Sequence, residues 1–342
     1  MTKKNLHNIL NKEELKVALN KESFCRITAS FYRYVKIEEP DYFRDFLYEQ
    51  FNDMNILGRI YIASEGINAQ ISVPEFNWNK FIERLNDIEP FRNVMIKAAL
   101  DNYQSFYKLI VKVRKELVAF SIPEEEYSMG KVGKHLTTKD YNRAMDDPDS
   151  IIVDMRNYYE SEIGHFEHAL IPNVETSKEL LPEVMRLLNG KEDKKILLYC
   201  TGGIRCEKAS AYLIHQGFED VNQLQGGIIQ YANDIREYGV ESKFKGKNFV
   251  FDNRLGERVT DDIISDCHIC GEPSDDHTDC KNDACHILFI QCEKCSTDLG
   301  GCCSRECHEF SMLPIEKQRK LRKDPNHTIS KTFFDSRVKP RF

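Results

Sequence analysis

The chain has 342 residues with 48 Lys and Arg against 55 Asp and Glu, a formal net charge of −7, and 41% hydrophobic with 30% charged residues. That length exceeds one ordinary core and implies two or three domains of soluble, globular composition. No apolar run approaches a membrane span, and the polar start MTKKNLHNILNKEELK has no signal-peptide core, so a cytoplasmic protein without membrane attachment is expected. In such a reducing compartment, 12 cysteines point to metal binding or thiol chemistry rather than disulfides.

The net charge argues against a nucleic-acid partner, but its distribution does not. Residues 317–342 hold nine Lys or Arg against two acids, Asp324 and Asp335. Smaller basic groups occur at Lys108, Lys112, Arg114 and Lys115, and at Lys243, Lys245 and Lys247. Each alone reads as a solvated face; together they make a surface for a polyanion.

Residues 1–22 are read as a short amphipathic or disordered leader, to which no function is assigned. From Phe24 the pattern predicts a strand to Val35, a helix over Asp41–Asn52, strands over Gly58–Ala63 and Asn68–Val73, a helix over Phe76–Leu85, and a strand over Val94–Ala99. Tyr107–Val113 follows as a last or edge strand. The order β-α-β-β-α-β predicts a ferredoxin-like domain over residues 23–116, with Ser64-Glu65-Gly66-Ile67 between the middle strands. Nothing in it reads as catalytic. Such sheets often carry RNA, yet the fold alone assigns no function.

Residues 117–133 read as a linker rich in Pro, Gly and acids, and a helix capped by Thr137 or Thr138 opens the next domain, residues 134–242. Short apolar runs at Ile151–Met155, in the ALIPN segment, at Ile196–Tyr199 and at Val221–Leu224 alternate with helical stretches. That alternation predicts a doubly wound parallel sheet covered on both faces. One strand delivers Cys200 into Thr201-Gly202-Gly203-Ile204-Arg205, and a helix over Glu207–Gln216 follows, stopped by Gly217. Backbone amides, a helix N-terminus and Arg205 converge on the Cys200 thiol, which is therefore expected to ionise more easily than a free cysteine and to lie where a substrate reaches it. The plain alternative is a small buried hydrophobe at a strand end. Cys206 is either a second, resolving thiol or a packed one.

Nine of the 12 cysteines fall in the last segment, residues 243–342: Cys267, Cys270, Cys280, Cys285, Cys292, Cys295, Cys302, Cys303 and Cys307. Paired C-x2-C knuckles present two thiolates each to a tetrahedral ion, so structural zinc is expected, and one arrangement pairs Cys267 and Cys270 with Cys292 and Cys295. It leaves Cys280, Cys285, Cys307 and either Cys302 or Cys303 for a second ion. His268, His277 or His286 can replace a cysteine in either, and an iron–sulfur cluster is the alternative group. There is no dinucleotide fingerprint and no Walker loop, so no nucleotide cofactor is expected.

YCTGGIRCEKASAYL resembles the active loop of rhodanese domains, C-x-x-G-x-R-S-x-x-A, with Cys206 where many members have Ser. In those domains the first cysteine, here Cys200, carries a persulfide. Related phosphatase loops are one residue longer between Cys and Arg, so the spacing argues against phosphate as ligand. IIVDMRNYYESEIGHFEHALIPN, with Asp154, Arg156, Glu160, Gly164 and His165, is similar to the opening segment of the same domains. Together with RIYIASEGINAQISVP, EEEYSMGKVGKHL and FVFDNRLGERVTDD, the whole chain resembles the TrhO family of rhodanese-domain tRNA hydroxylases. The resemblance implies oxygen-dependent hydroxylation of wobble uridine 34 to 5-hydroxyuridine, with tRNA bound through its anticodon loop and O2 as co-substrate. Cys200 and Arg205 become the catalytic pair. A plain sulfurtransferase and a zinc-dependent RNA-binding adaptor are the competing functions.

Overall fold

The computed structural model describes residues 6, 8, 10–100 and 104–323. Most of the basic C-terminal tail, residues 324–342, lies outside the described residues. The chain divides into two compact units, Met1–Asn157 with His168–Glu241 and Val250–Glu257, and Tyr158–Glu167 with Ser242–Phe249 and Arg258–Phe342.

The first unit begins with helix α1 (Lys12–Asn20), inside the stretch read as an amphipathic or disordered leader. Its start is a capping box in which Asn11 and Glu14 satisfy each other's backbone amides. Strand β1 (Arg26–Tyr34), helix α2 (Pro40–Asp53), β2 (Leu57–Ala63), β3 (Gly66–Pro74), α3 (Trp78–Asp87), β4 (Lys97–Ala98) and β5 (Leu109–Val113) follow. They form one sheet in the order β4-β1-β3-β2-β5, the ferredoxin-like arrangement with β5 added parallel to β2 at the edge. Strand alternation places Ile60, Ile62, Ile67, Ala69 and Ile71 on one face, all fully buried in a core with Leu47 and Phe51 of α2 and Phe81 and Leu85 of α3. The predicted strand at Val94–Ala99 shrinks to the two residues of β4.

The unit continues through β6 (Lys134–Leu136), α4 (Thr138–Met145) and β7 (Ser150–Asp154). The chain then passes through α5 (Tyr158–Ser161) and β8 (Gly164–Phe166) of the second unit. It returns for α6 (Ser177–Leu188), β9 (Lys195–Tyr199), α7 (Ile204–His215), β10 (Asp220–Leu224) and α8 (Gly227–Tyr238). The sheet is wholly parallel in the order β6-β10-β9-β7, with β9 interior and Ile196–Tyr199 fully buried. Ile196 and Leu198 pack with α6 and α7, whereas the carbonyl of Leu197 accepts from the Tyr141 hydroxyl of α4 on the opposite side. ALIPN yields only a bridge from Leu170 to Val153 rather than a strand. β6 escapes sequence reading because its three residues include one apolar side chain.

Both domains of this unit meet at α7. Lys208 is 1% exposed and pairs with Glu65 at 3.1 Å, from the β2–β3 turn, and with Glu116 at 3.0 Å. Asp154 and Arg156, both fully buried, form a two-pronged ion pair beside the Tyr199 ring.

In the second unit β8 pairs antiparallel with β11 (Phe244–Asn248), and Phe166 meets Phe244 edge to face. Gly164 admits no side chain there, since a Cβ would lie 2.1 Å from the carbonyl oxygen of Lys247. A short hairpin pairs His277–Asp279 with Leu288–Ile290, and three helices close the segment at Glu293–Asp298, Arg305–Ser311 and Ile315–Arg322. Among the described residues no helix is long and apolar enough to cross a membrane.

Candidate active site and thiol clusters

The Cys200 loop is held from two sides. Gly203 takes φ +98 at the start of α7, and its amide reaches Cys200 Sγ at 3.1 Å. The carbonyls of Cys200 and Thr201 accept from the amides of Ile228 and Ile229 at 3.0 and 3.1 Å, so α8 occupies the loop's acceptors and leaves its donors to the sulfur. Gly227 makes that approach possible: its φ is +67, and a Cβ would lie 2.6 Å from the Cys200 oxygen. Arg205 Nη2 donates to Thr201 Oγ1 at 3.3 Å, with its guanidinium beside the Phe251 ring. Ile204 opens α7.

Burial pushes the Cys200 thiol up, but a hydrogen bond from Cys206, the Arg205 charge and the amides of Cys206 and Arg205 outweigh it and bring the pKa down to about 5. Cys206 moves the other way, well above its ordinary value, through burial and the neighbouring Cys200 thiolate. Cys206 therefore keeps its proton and donates it to the Cys200 sulfur. A thiol with a depressed folded pKa contributes stability above its unfolded pKa, near 9.0, and loses that contribution as pH falls toward about 5. The ultraviolet thiolate absorbance of the wild type minus that of Cys200→Ser should titrate near pH 5; a midpoint above 8 would remove the basis for an activated thiol.

The ferredoxin-like domain, in which sequence reading found nothing catalytic, closes over this loop. Lys97 Nζ of β4 donates to the Gly202 carbonyl at 2.9 Å and lies 4.6 Å from the centre of the Tyr32 ring. Tyr32 donates to Glu207 at 3.4 Å, Tyr34 to the Ile204 carbonyl at 3.3 Å, and His135 faces Glu207 at 2.9 Å. Burial lowers the Lys97 pKa to about 8 against the raising pull of Cys200 and Glu207. Beside these groups is a cavity of about 720 Å³, lined by Tyr32, Tyr34, Lys97, His135, Glu207 and Gly226 among others. Cys200 itself is 0% exposed, so the expectation of an open thiol is not met in this conformation. The signal available in the sequence was the i, i+2 spacing of Tyr32 and Tyr34, which puts both rings on the face opposite the core.

Four thiols from the two C-x2-C knuckles, Cys267, Cys270, Cys292 and Cys295, come together, as do Cys280, Cys285, Cys303 and Cys307; within each group all sulfurs lie within 4.8 Å of one another. Measured pairs are 3.7 Å for Cys270–Cys292, 3.7 Å for Cys285–Cys303 and 3.6 Å for Cys303–Cys307. Tetrahedral zinc with bonds of about 2.3 Å requires sulfurs about 3.8 Å apart, so both groups fit such an ion. The choice left open in the sequence falls on Cys303. Cys302 Sγ instead faces Ser311 Oγ at 3.7 Å. N–H donors also reach the second group, from Cys303 to Cys280 at 3.4 Å and from Asn282 to Cys307 at 3.3 Å. Among the described residues no histidine joins either group. His268 faces Glu162, and His277 is driven by burial to a pKa of about 4.

A parallel sheet that ends in an amide-ringed cysteine, preceded by a split βαβ sheet and followed by two four-thiol clusters, defines a multidomain rhodanese-type protein. Family models agree: a UPF0176 acylphosphatase-like domain matches residues 26–117, a rhodanese-like domain residues 137–234, and a rhodanese C-terminal model residues 245–308. A relative from Leptospira interrogans named tRNA uridine(34) hydroxylase is 49% identical, over 99% of this chain and 92% of its own. Relatives of the same name from an Enterobacter species and from Photorhabdus laumondii are 50% and 49% identical, each over 93% of this chain and 91% of theirs. The chain belongs to the TrhO family, the rhodanese-domain proteins that carry this name.

Proposed function

We propose that the protein hydroxylates C5 of the uridine at position 34 of tRNA, in the cytoplasm, with Cys200 as nucleophile and O2 as co-substrate. The observation that carries the reading is the amide-ringed Cys200 at the end of β9, closed over by Tyr32, Lys97 and Glu207, which also line a cavity of about 720 Å³. A thiolate adds to C6 of uracil: the S–C6 bond forms, the C5=C6 electron pair moves toward O4, and C5 becomes enolate-like and open to an oxidant. One atom of O2 becomes the C5 hydroxyl, and the other leaves as water, with two electrons and two protons delivered by an external two-electron reductant that acts as a further co-substrate. Loss of the C5 proton then expels Cys200 and restores the ring.

In this reading the Arg205 guanidinium and the amides of Gly203, Arg205 and Cys206 carry the negative charge that shifts during these steps, and the Cys206 thiol returns the sulfur to its anionic state by hydrogen bonding. The unpaired anticodon loop offers bases that can be turned into a pocket without breaking a duplex. Zinc is the metal assigned to both four-cysteine sites, and its role there is to hold the last segment folded. The test is to run the reaction under isotopically heavy oxygen gas and weigh the nucleosides of the digested tRNA. Label in 5-hydroxyuridine is the expected result. Unlabelled 5-hydroxyuridine would refute O2 as the source of the oxygen, and a gain of sulfur instead of oxygen would refute the hydroxylase reading and favour a sulfurtransferase.

A further inference from the structure

The register of the first sheet lines up a row of side chains on the face away from α2 and α3. Tyr32 of β1 lies opposite Asn68 of β3, Asn68 opposite Tyr61 of β2, and Tyr61 opposite Lys112 of β5. The adjacent row runs from Lys97 of β4 through Ser30 and Gln70 to Arg59. No strand position on this face holds an acid. Among the described residues Arg59, Lys112 and Arg114 have no carboxylate partner, in a protein whose net charge is −7. The Arg114 guanidinium sits 5.0 Å from the centre of the Tyr61 ring. Lys97, Thr28 and Ser72 are buried on this face, whereas Asn68, Gln70, Arg59 and Tyr61 stay partly exposed although β3 and β2 are interior strands, so this part of the face is not fully packed over.

We infer that this face is a track for single-stranded RNA, on which Tyr61 stacks a base and Arg59, Lys112 and Arg114 hold the backbone of the nucleotides next to the one that enters the Cys200 loop. The inference rests on the tRNA reading above for the identity of the strand. Its geometry is continuous with the active site, because the rows begin at Lys97 and Tyr32, the two residues that close over the loop. With strands about 4.8 Å apart the row from Tyr32 to Lys112 spans about 14 Å. Four-stranded sheets bearing aromatic side chains stack two or three bases over such a span. A single strand suits the face better than a duplex, since the exposed groups are a flat ring and fork-shaped cations with no element to enter a groove.

The experiment measures binding of a fluorescent anticodon stem-loop RNA to the full chain across a salt series. The combined change Arg59→Ala, Lys112→Ala and Arg114→Ala should weaken binding at least about tenfold and flatten the log–log salt slope by about two, as three single-strand phosphate contacts require. Tyr61→Ala should weaken binding about tenfold with the slope unchanged. Exchanging the three cations conservatively, Arg59→Lys with Lys112→Arg and Arg114→Lys, should restore the slope. An unchanged slope in the alanine variant overturns the track, and so does equal weakening toward a fully paired RNA of the same length. Binding is read without turnover. RNA bound as expected by a protein that forms no 5-hydroxyuridine would overturn the proposed reaction and leave the track standing.

Discussion

Cys200→Ser is expected to yield a folded protein whose rate of 5-hydroxyuridine formation is lower by at least about 10³-fold, as befits a nucleophile that acts as part of a unit. Serine fits the space and can still accept from the Gly203 amide, which the wild-type sulfur does at 3.1 Å, so the fold is kept. What is lost is ionisation. The loop brings a thiol to about 5, and no comparable arrangement ionises an alkyl hydroxyl near neutral pH. Cys206→Ser keeps a donor next to the sulfur and should lose far less, about tenfold or below. Nucleoside mass analysis of tRNA from a strain whose only copy carries each variant reads both numbers. Undiminished 5-hydroxyuridine with Cys200→Ser would remove the cysteine from the chemistry altogether.

Removing metal should be as severe for the last segment as removing Cys200 is for turnover. Around the second cluster the buried groups are the cysteines themselves and Phe289, with the partly covered Ile269 and Ile287 against them. So small an apolar core cannot offset the chain entropy of the surrounding loops. Structural zinc in small motifs contributes about 10–16 kcal/mol of apparent binding free energy at neutral pH, comparable to the whole stability of an ordinary domain. A strong chelator should therefore release two ions per chain and abolish the cooperative melting of this segment. Cys303→Ser should lower the metal content from two ions toward one, while Cys302→Ser should leave it at two, because Cys303 and not Cys302 stands in the four-sulfur group. Elemental analysis of the purified variants separates them. Equal loss from both would mean that the second site is not built as the sulfur positions indicate.

Much of this architecture is legible in residue order because its signals are local. The Cys200 loop declares itself through a buried apolar run, two glycines, an arginine at fixed spacing and a helix behind them. The first thiol cluster is equally plain, since a C-x2-C knuckle carries its own geometry. The choice between Cys302 and Cys303 is not local: it depends on which of two adjacent side chains turns toward Cys280 and Cys285, and on Ser311 receiving the other. Helix α1 was missed because its amphipathic signal is weak, although Asn11 and Glu14 stand at capping-box spacing. Lys97 and Tyr32 were illegible as site residues for a different reason. Both come to the sulfur through tertiary packing, one from a two-residue strand and the other from a strand far upstream in the chain.

The salt links of buried Lys208 to the partly exposed Glu65 and Glu116 have a kinetic corollary. Pulling the ferredoxin-like domain away from α7 would break both, together with the hydrogen bonds from Lys97 and Tyr34 to the Cys200 loop. Opening by a hinge between these domains is thus disfavoured relative to a local release of Lys97 from the Gly202 carbonyl. Exposed side chains rotate in picoseconds to nanoseconds; Lys97, 3% exposed, is slower than that, while domain swings take microseconds to milliseconds. Admission of the nucleobase should then follow a local release, and viscosity should leave the maximal rate largely untouched.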